Sequence, residues 1–356
     1  MKKVFFENSI FLHQRVGGIS KYISKLNNEI RKTGINSIIY CPLTINTNLK
    51  KNKKSNIFYL RFIKIPLFCT KIFYLINNLL TIIYMKLSKP DIFHFTYYNN
   101  FLLKFIKMPY VLTVYDLISE KYNYKNTRFK KSELIKKASH IICISKETRK
   151  DLIKFYKVDK KKISVIYLGV EENKELILKK KNYILFVGSR SRYKNFVNFI
   201  KAFSQSEYLV TNYKVFCFGS IKFNLGEMEL FEKLKIKKNM IFKSGNEKML
   251  DRAYQNASLF VSSSIQEGFG LTPLEAMRCG CPVICSDIPI FKEILGNSCA
   301  YINPKKIIDI QQKMENLLKS KAKQNLLIKR GFSKTEQFTW EKCSLKTINV
   351  YKKILN

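Results

Sequence analysis

Short apolar runs alternate along this chain with longer stretches in which apolar residues return every third or fourth position. The first pattern predicts buried strands and the second predicts helices that bury one stripe. Val4 to Glu7 reads as a strand, and the loop holding Gly17 and Gly18 leads into a helix with Ile19, Tyr22, Ile23, Leu26 and Ile30 on one face and Gly34 as its stop. Further strands are expected at Ser37 to Cys41, Ile57 to Phe62, Asp91 to Thr96, Tyr110 to Tyr115, Ile141 to Ser145 and Ile163 to Tyr167. Most are separated by helical stretches. After the polar, charged segment Glu171 to Lys181 the pattern begins again, with strands at Tyr183 to Val187, Val215 to Phe218, Met240 to Phe242, Leu259 to Ser262 and Pro282 to Cys285. A final amphipathic helix is expected after Trp340, through Leu345, Ile348, Val350, Tyr351 and Ile354. Strands interleaved with helices predict parallel, doubly wound sheets. At 356 residues the chain exceeds one ordinary core, so an α/β protein of two domains is expected. They would occupy residues 1–170 and 182–335, with a linker at 171–181, a helix at 336–356 and a cleft between the lobes.

One stretch departs from this alternation. Ile65 to Met85 carries Leu67, Phe68, Ile72, Phe73, Leu75, Ile76, Leu79, Leu80, Ile82 and Ile83, preceded by Lys50, Lys51, Lys53, Lys54, Arg61 and Lys64. It is almost long enough to span a bilayer, but Lys71, Asn77 and Asn78 interrupt it. It also lies between two strands of one expected sheet, which a spanning segment could not do. A well-buried helix and a helix lying in a membrane interface both fit the pattern.

Composition narrows the class. Apolar residues make up 46% of the chain, which supports packed cores and excludes disorder. The formal charge of +39 points to an anionic partner, although Lys, Asn and Ile are abundant throughout, as a compositional background would make them. An anionic inner-membrane surface is favoured over nucleic acid, since no zinc-finger, RNA-recognition or helix-turn-helix spacing accompanies the charge. Nine scattered cysteines with no Cys-x-x-Cys pair and only three histidines read as reduced, buried thiols. Cys279, Cys281 and Cys285 sit amid apolar residues, and no metal site is expected. The apolar run after Met1-Lys2-Lys3 is too short for a signal peptide, so a cytoplasmic protein is expected.

The candidate chemistry lies in the second half. In Glu267-Gly268-Phe269-Gly270-Leu271-Thr272-Pro273-Leu274-Glu275 two carboxylates flank a glycine-bearing turn that opens into a helix. Thr272 suits the N-cap, Pro273 the first helical position and Glu275 the third, so amides at the helix start would face the loop and could hold a diphosphate. Gly268 and Gly270 permit close approach of ligand oxygens. The plain alternative makes Glu275 half of a capping box and Glu267 a loop acid. Upstream, Val187-Gly188-Ser189-Arg190-Ser191-Arg192-Tyr193-Lys194-Asn195 follows the first strand of the second half, which puts Arg190 and Lys194 at the sheet edge where ligands bind.

These strings resemble the Glu-x7-Glu signature, and the Gly-x-Arg followed by Lys-Asn, of retaining glycosyltransferases of family 4 ("group 1"), the family of glycogen synthases, sucrose synthases and bacterial mannosyltransferases. The resemblance covers nearly the whole chain and is strongest from Val187 to Glu293. It implies two facing Rossmann-like lobes, the GT-B architecture, with the last helix crossing back onto the first. It also implies transfer of a hexose, mannose favoured, from GDP-mannose or a UDP-hexose, with no cofactor and no metal, to a lipid-linked or core oligosaccharide of a bacterial surface glycan such as O-antigen or capsule. That acceptor would place the enzyme peripherally on the cytoplasmic face of the inner membrane.

By the same resemblance Glu267 lies by the donor sugar, Glu275 takes the ribose hydroxyls, and Arg190 and Lys194 neutralise the diphosphate. The loop at Gly17 and Gly18 closes over phosphates and acceptor, and Ser244, Gly245 and Asn246 stand where relatives hold the base. Tyr115-Asp116 replaces the His-Asp of many relatives, so His94 and Asp116 are the first-lobe catalytic candidates, with Tyr115 lining the acceptor side. His94 is equally compatible with simple packing. Three alternatives stay open: a phosphorylase or an epimerase on the same architecture, and a basic nucleic-acid-binding protein in which both glutamates are structural.

Overall fold

A computed structural model describes residues 3–47, 49, 57–61, 69–121, 127–177, 179–190 and 192–356. Two compact units emerge: Met1–Gly169 with Trp340–Asn356, and Val170–Thr339.

The first unit holds a sheet of β1 (Lys3–Phe6), β2 (Asn36–Thr44), β3 (Ile57–Arg61), β4 (Ile92–Phe95), β5 (Tyr110–Val114), β6 (His140–Cys143) and β7 (Ile163–Val165). Their spatial order is β3-β2-β1-β4-β5-β6-β7, and every pairing is parallel. Chain order reverses between β1 and β4, the point where open parallel sheets bind ligands. Phe62, expected to end β3, lies outside the described residues, as do Lys50, Lys51, Lys53, Lys54 and Lys64.

The strands are buried on both faces because helices cover both, which is why they read as unbroken apolar runs rather than alternating ones. Phe5, Phe93, Phe95, Leu112 and Ile141 form the centre, with Phe5 and Phe93 stacked at 5.5 Å. Each such ring is worth about 1.5–3 kcal/mol of burial. The helix Gly18–Lys32 turns Tyr22, Ile23, Leu26 and Ile30 inward, and Gly34 beyond its end adopts a φ of +83° that suits glycine. The helix Trp340–Leu355 packs beside it, burying Trp340, Ile348 and Tyr351, while Leu345, expected on its apolar stripe, is exposed.

The second unit holds β8 (Lys181–Val187), β9 (Lys214–Phe218), β10 (Met240–Lys243), β11 (Ala257–Ser262), β12 (Val283–Ser286) and β13 (Ala300–Ile302). Their order is β10-β9-β8-β11-β12-β13, again all parallel, with the reversal between β8 and β11. Phe186, Phe199, Phe203, Val215, Leu259 and Ile284 make its core. The strand β13 was not expected from the sequence. Among the described residues no helix is long and apolar enough to cross a membrane.

Candidate functional site

In the second unit the loops that follow β8 and β11 meet across the reversal point. Lys194 Nζ lies 2.5 Å from Glu267 Oε1, and Ser264 Oγ donates to the same oxygen at 2.7 Å. Backbone contacts hold the two loops together: Ile265 N–H donates to Tyr193 O at 2.8 Å and Ser263 Oγ to Lys194 O at 3.0 Å. The Lys194 and Glu267 side chains are 20% and 16% exposed, so the pair is largely shielded yet reachable from solvent. Its attraction therefore exceeds that of a surface pair.

Arg190 does not join this pair. Its Nε lies 2.5 Å from Glu227 Oε1 and its Nη2 3.0 Å from Glu227 Oε2, a fork-to-fork contact, and Nη2 also donates to the Ile221 and Lys222 carbonyls. Its guanidinium lies 4.9 Å from the Phe223 ring centroid. The two loop cations expected to act together thus hold different acids, Glu227 and Glu267. Ser191 lies outside the described residues.

The helix expected to begin at Pro273 with Thr272 as its cap runs instead from Leu271 to Arg278, with Gly270 as its cap. Gly270 has φ +104°, a torsion that calls for glycine, and a Cβ there would also press on the Phe291 ring at 3.0 Å. The sharp turn brings the helix in two residues early. Thr272 is therefore inside the first turn and not its cap, Pro273 is the third helical residue, and Glu275 is too far along for a capping box. No side chain caps this helix start. Phe269 turns into the core, edge-on to Phe338 at 5.9 Å, so only its backbone can serve a ligand. Gly268 in the loop and Leu271 and Thr272 at the helix start are half-buried. Glu275 is buried and accepts from the Tyr254 hydroxyl at 3.3 Å, whose pKa burial pushes well above its ordinary value.

After β10, Gly245 and Asn246 are exposed, and Asn246 caps the helix Glu247–Asn256 by accepting from Met249 N–H at 3.0 Å. A cavity of about 790 Å³ opens at the ends of β12 and β13, lined by Ile265, Asp287, Tyr301, Asn303, Lys305 and Lys313. None of the expected site residues lines it. Among the described residues no group of three or more His, Cys, Asp or Glu could hold a metal ion.

The first unit places its candidates differently. His94, on β4, is fully buried: Nδ1 lies 2.5 Å from the Tyr351 hydroxyl, Nε2 lies 2.7 Å from Thr113 Oγ1, and the ring stacks on Phe6. Burial pushes its pKa down to about 3. With no exposed edge and a partner at each nitrogen, His94 ties the last helix to the sheet, the packing arrangement that was one of the two readings its sequence position left open. Tyr115 is buried as well, and its hydroxyl donates to Thr96 O at 2.9 Å. Asp116 is half-buried beyond β5 and accepts from Ile118 N–H at 3.1 Å. Gly17 caps the helix Gly18–Lys32, and a Cβ on it would collide with the Gln14 side chain.

The sequence reading missed Glu7. This carboxylate is fully buried at the end of β1 and bridges the first reversal point. It accepts from Ser9 N–H at 2.6 Å, Asn99 Nδ2 at 3.0 Å and Thr96 Oγ1 at 2.8 Å, all neutral donors. The only sequence signal was its place as the charged end of an expected apolar strand, Val4 to Glu7. Glu227 gave none, because its partner Arg190 lies 37 residues away.

Comparison with known proteins accords with this geometry. Residues 170–334 match the family model "Glycosyl transferases group 1", and residues 16–174 match "Glycosyltransferase Family 4". The O-antigen chain mannosyltransferase RfbU of Salmonella typhimurium is 36% identical over 184 residues, half of each chain. The chain spans half or less of the length of the curated mannosyltransferases it matches. Sucrose-phosphate synthase from Thermosynechococcus elongatus superimposes with a TM-score of 0.81 at 16% identity over 99% of each chain. HepE of Anabaena, solved with UDP and glucose, does so at 0.77 and 15% identity, again over 99% of each.

Proposed function

Because this chain belongs to the group 1 glycosyltransferases and has the GT-B fold, we propose that it moves a hexose, mannose, from a nucleotide sugar to a lipid-linked or core oligosaccharide during assembly of a bacterial surface polysaccharide. The observation that carries this reading is the Lys194–Glu267 pair at the reversal point of the second sheet, beside a helix start that no side chain caps. That combination offers a cation and oriented amides to a diphosphate and a carboxylate to sugar hydroxyls. The likeness to RfbU, a mannosyltransferase, favours mannose, hence GDP-mannose as donor; a UDP-hexose is the second choice, supported by the UDP bound to HepE.

In the proposed reaction the acceptor oxygen attacks the anomeric carbon from the face that the diphosphate leaves. The carbon–oxygen bond to phosphate breaks, the new glycosidic bond keeps the anomeric configuration, and a donor phosphate oxygen takes the acceptor's proton. Lys194 and the amides near Leu271 then stabilise the charge growing on the diphosphate. Arg190 contributes if it exchanges Glu227 for phosphate, a swap between two bidentate partners. Glu267 orients the sugar, and Glu275, already fixed by Tyr254, is assigned to the ribose. The charge neutralisation assigned to these groups needs no metal, and transfer is expected to persist in EDTA. Asp116 and the Gly17-Gly18 loop are assigned to the acceptor side, and Gly245 and Asn246 to the base. A lipid-linked acceptor would bring the enzyme to the cytoplasmic face of the inner membrane.

A thermal-shift series with GDP, UDP and their hexose conjugates tests the reading, since a ligand far above its dissociation constant raises Tm. GDP-mannose is expected to give the largest shift, followed by transfer with retained configuration in the product. A chain that no nucleoside diphosphate stabilises would remove the reading. Donor consumption without a new glycosidic bond would favour a phosphorylase or an epimerase.

A further inference from the structure

The helix Thr70–Ser88 in the first unit is built inside out. Its polar residues face the protein: the Asn77 amide brackets the Leu43 backbone with two bonds of 2.9 Å, Asn78 Oδ1 accepts from Asn99 Nδ2, and Thr81 Oγ1 accepts from Asn8 Nδ2. Ile82 and Met85 are buried beside them, but most of its large apolar residues face outward. Ile72, Leu75, Ile76, Leu79, Ile83 and Leu87 are all exposed, Ile83 by 55% and Leu87 by 78%. At about 100° per residue these six fall within about a third of the helix circumference, in a stripe about 22 Å long. A continuous apolar stripe of that size marks a docking surface, because scattered exposed residues would not line up. Ile65 to Phe68, the front of the apolar run, lie outside the described residues and do not enter this inference.

The charge of the helix and of its flanking sequence selects the occupant of the stripe. Residues 30 to 90 contain no Asp or Glu and eleven Lys or Arg, and Lys71 and Lys86 are exposed on the helix itself. A second copy of the chain would meet the stripe through a two-fold contact, which sets the same cationic surroundings against themselves. An anionic surface with an apolar layer beneath it complements both features. An amphipathic helix lies in such an interface with its apolar face in the acyl boundary and its cations among the headgroups.

We propose that the outward face of the helix Thr70–Ser88 docks the protein onto an anionic phospholipid surface. The proposal deepens the transferase reading, on which it rests for the identity of the membrane, by naming the surface through which the enzyme reaches a lipid-linked acceptor.

Co-sedimentation of the full chain with phosphatidylglycerol/phosphatidylethanolamine vesicles tests it, with pure phosphatidylcholine vesicles as the comparison. Binding to the anionic vesicles should be at least about tenfold tighter and should weaken with added salt, since exposed charges are screened. Leu79→Asn with Ile83→Asn should cut that binding at least about tenfold while Tm and nucleotide-sugar binding hold, because both side chains already face water. Lys71→Glu with Lys86→Glu should weaken it without touching the apolar stripe. As a measurement independent of those variants, the new indole of a Leu79→Trp protein should be quenched by brominated lipid above the background of buried Trp340. Unchanged binding by the Asn variant, an unquenched indole in the Leu79→Trp protein, or a solution dimer that the Asn variant dissolves would each overturn the proposal. If the parent binds nucleotide sugar but ignores vesicles, the docking surface fails and the transferase reading stands. If it binds vesicles through this helix but no nucleotide sugar, the outcome is reversed.

Discussion

Replacing Lys194 by Ala separates a catalytic cation from a structural one. In the structure its ammonium lies 2.5 Å from Glu267 Oε1, with the two side chains 20% and 16% exposed. Exposed pairs are worth about 0–1 kcal/mol, and breaking a fully buried pair costs about 3–5 kcal/mol. Here Ser264 would still donate to Glu267, so we expect a loss of about 1–2 kcal/mol. For a unit of this size that lowers Tm by about 2–8 °C and leaves the fold intact. The functional loss should be larger. A charge-assisted bond to a diphosphate is worth about 1.5–3 kcal/mol, or roughly 10- to 100-fold in donor affinity. Removing a group that stabilises leaving-group charge costs about 10²- to 10³-fold in turnover. Calorimetric titration with the donor and a radiolabelled transfer assay would measure both, beside Glu267→Gln and the double variant. Donor affinity and turnover within about threefold of the parent would show that Lys194 only holds a loop, and the site assignment would fall.

His94 makes a pH prediction. Its folded pKa of about 3 lies below the ordinary value of 6.5, so the unfolded chain binds a proton that the folded chain refuses. This contribution is complete above pH 6.5 and is lost as pH falls toward 3, at about 1.4 kcal/mol per pH unit inside that window. Between pH 6.5 and 5 His94→Phe should flatten the fall of Tm with acidity, and an unchanged slope would contradict the buried, neutral ring. Gly270→Ala should cost about 1–3 kcal/mol through its φ of +104° and the Phe291 contact, and should weaken donor binding. A Gly270→Ala protein with parental Tm in a thermal melt would contradict the turn described here.

Much of the architecture was legible because each strand is a closed apolar run between polar loops, as in Tyr110–Val114 or Ala257–Ser262. The strand Ala300–Ile302 was missed because its three residues are followed at once by Asn303 and Pro304, with no longer apolar run to mark it. The helix start at Gly270 was misread because Thr272 and Pro273 have the right chemistry for a cap slightly further along, and nothing local reports a glycine held at positive φ against Phe291. The partners of Arg190 and His94 were illegible for another reason: Glu227 and Tyr351 lie 37 and 257 residues away, and only the folded sheets bring them together. For the helix Thr70–Ser88 the apolar count was plain but its sense was not. Asn77 and Asn78 looked like interruptions of the apolar run, whereas they lie on the buried face with Thr81, Ile82 and Met85.

The unit that holds β1 takes its last helix from Trp340–Leu355, where Tyr351 meets His94 and Trp340 stacks on Tyr22. The other unit is one unbroken segment, Val170–Thr339. During synthesis from the amino end, the earlier-made domain must therefore wait with an unfilled groove while the later-made one completes its own core. Maturation is expected to run opposite to translation order, with the amino-terminal half the longer dependent on chaperones.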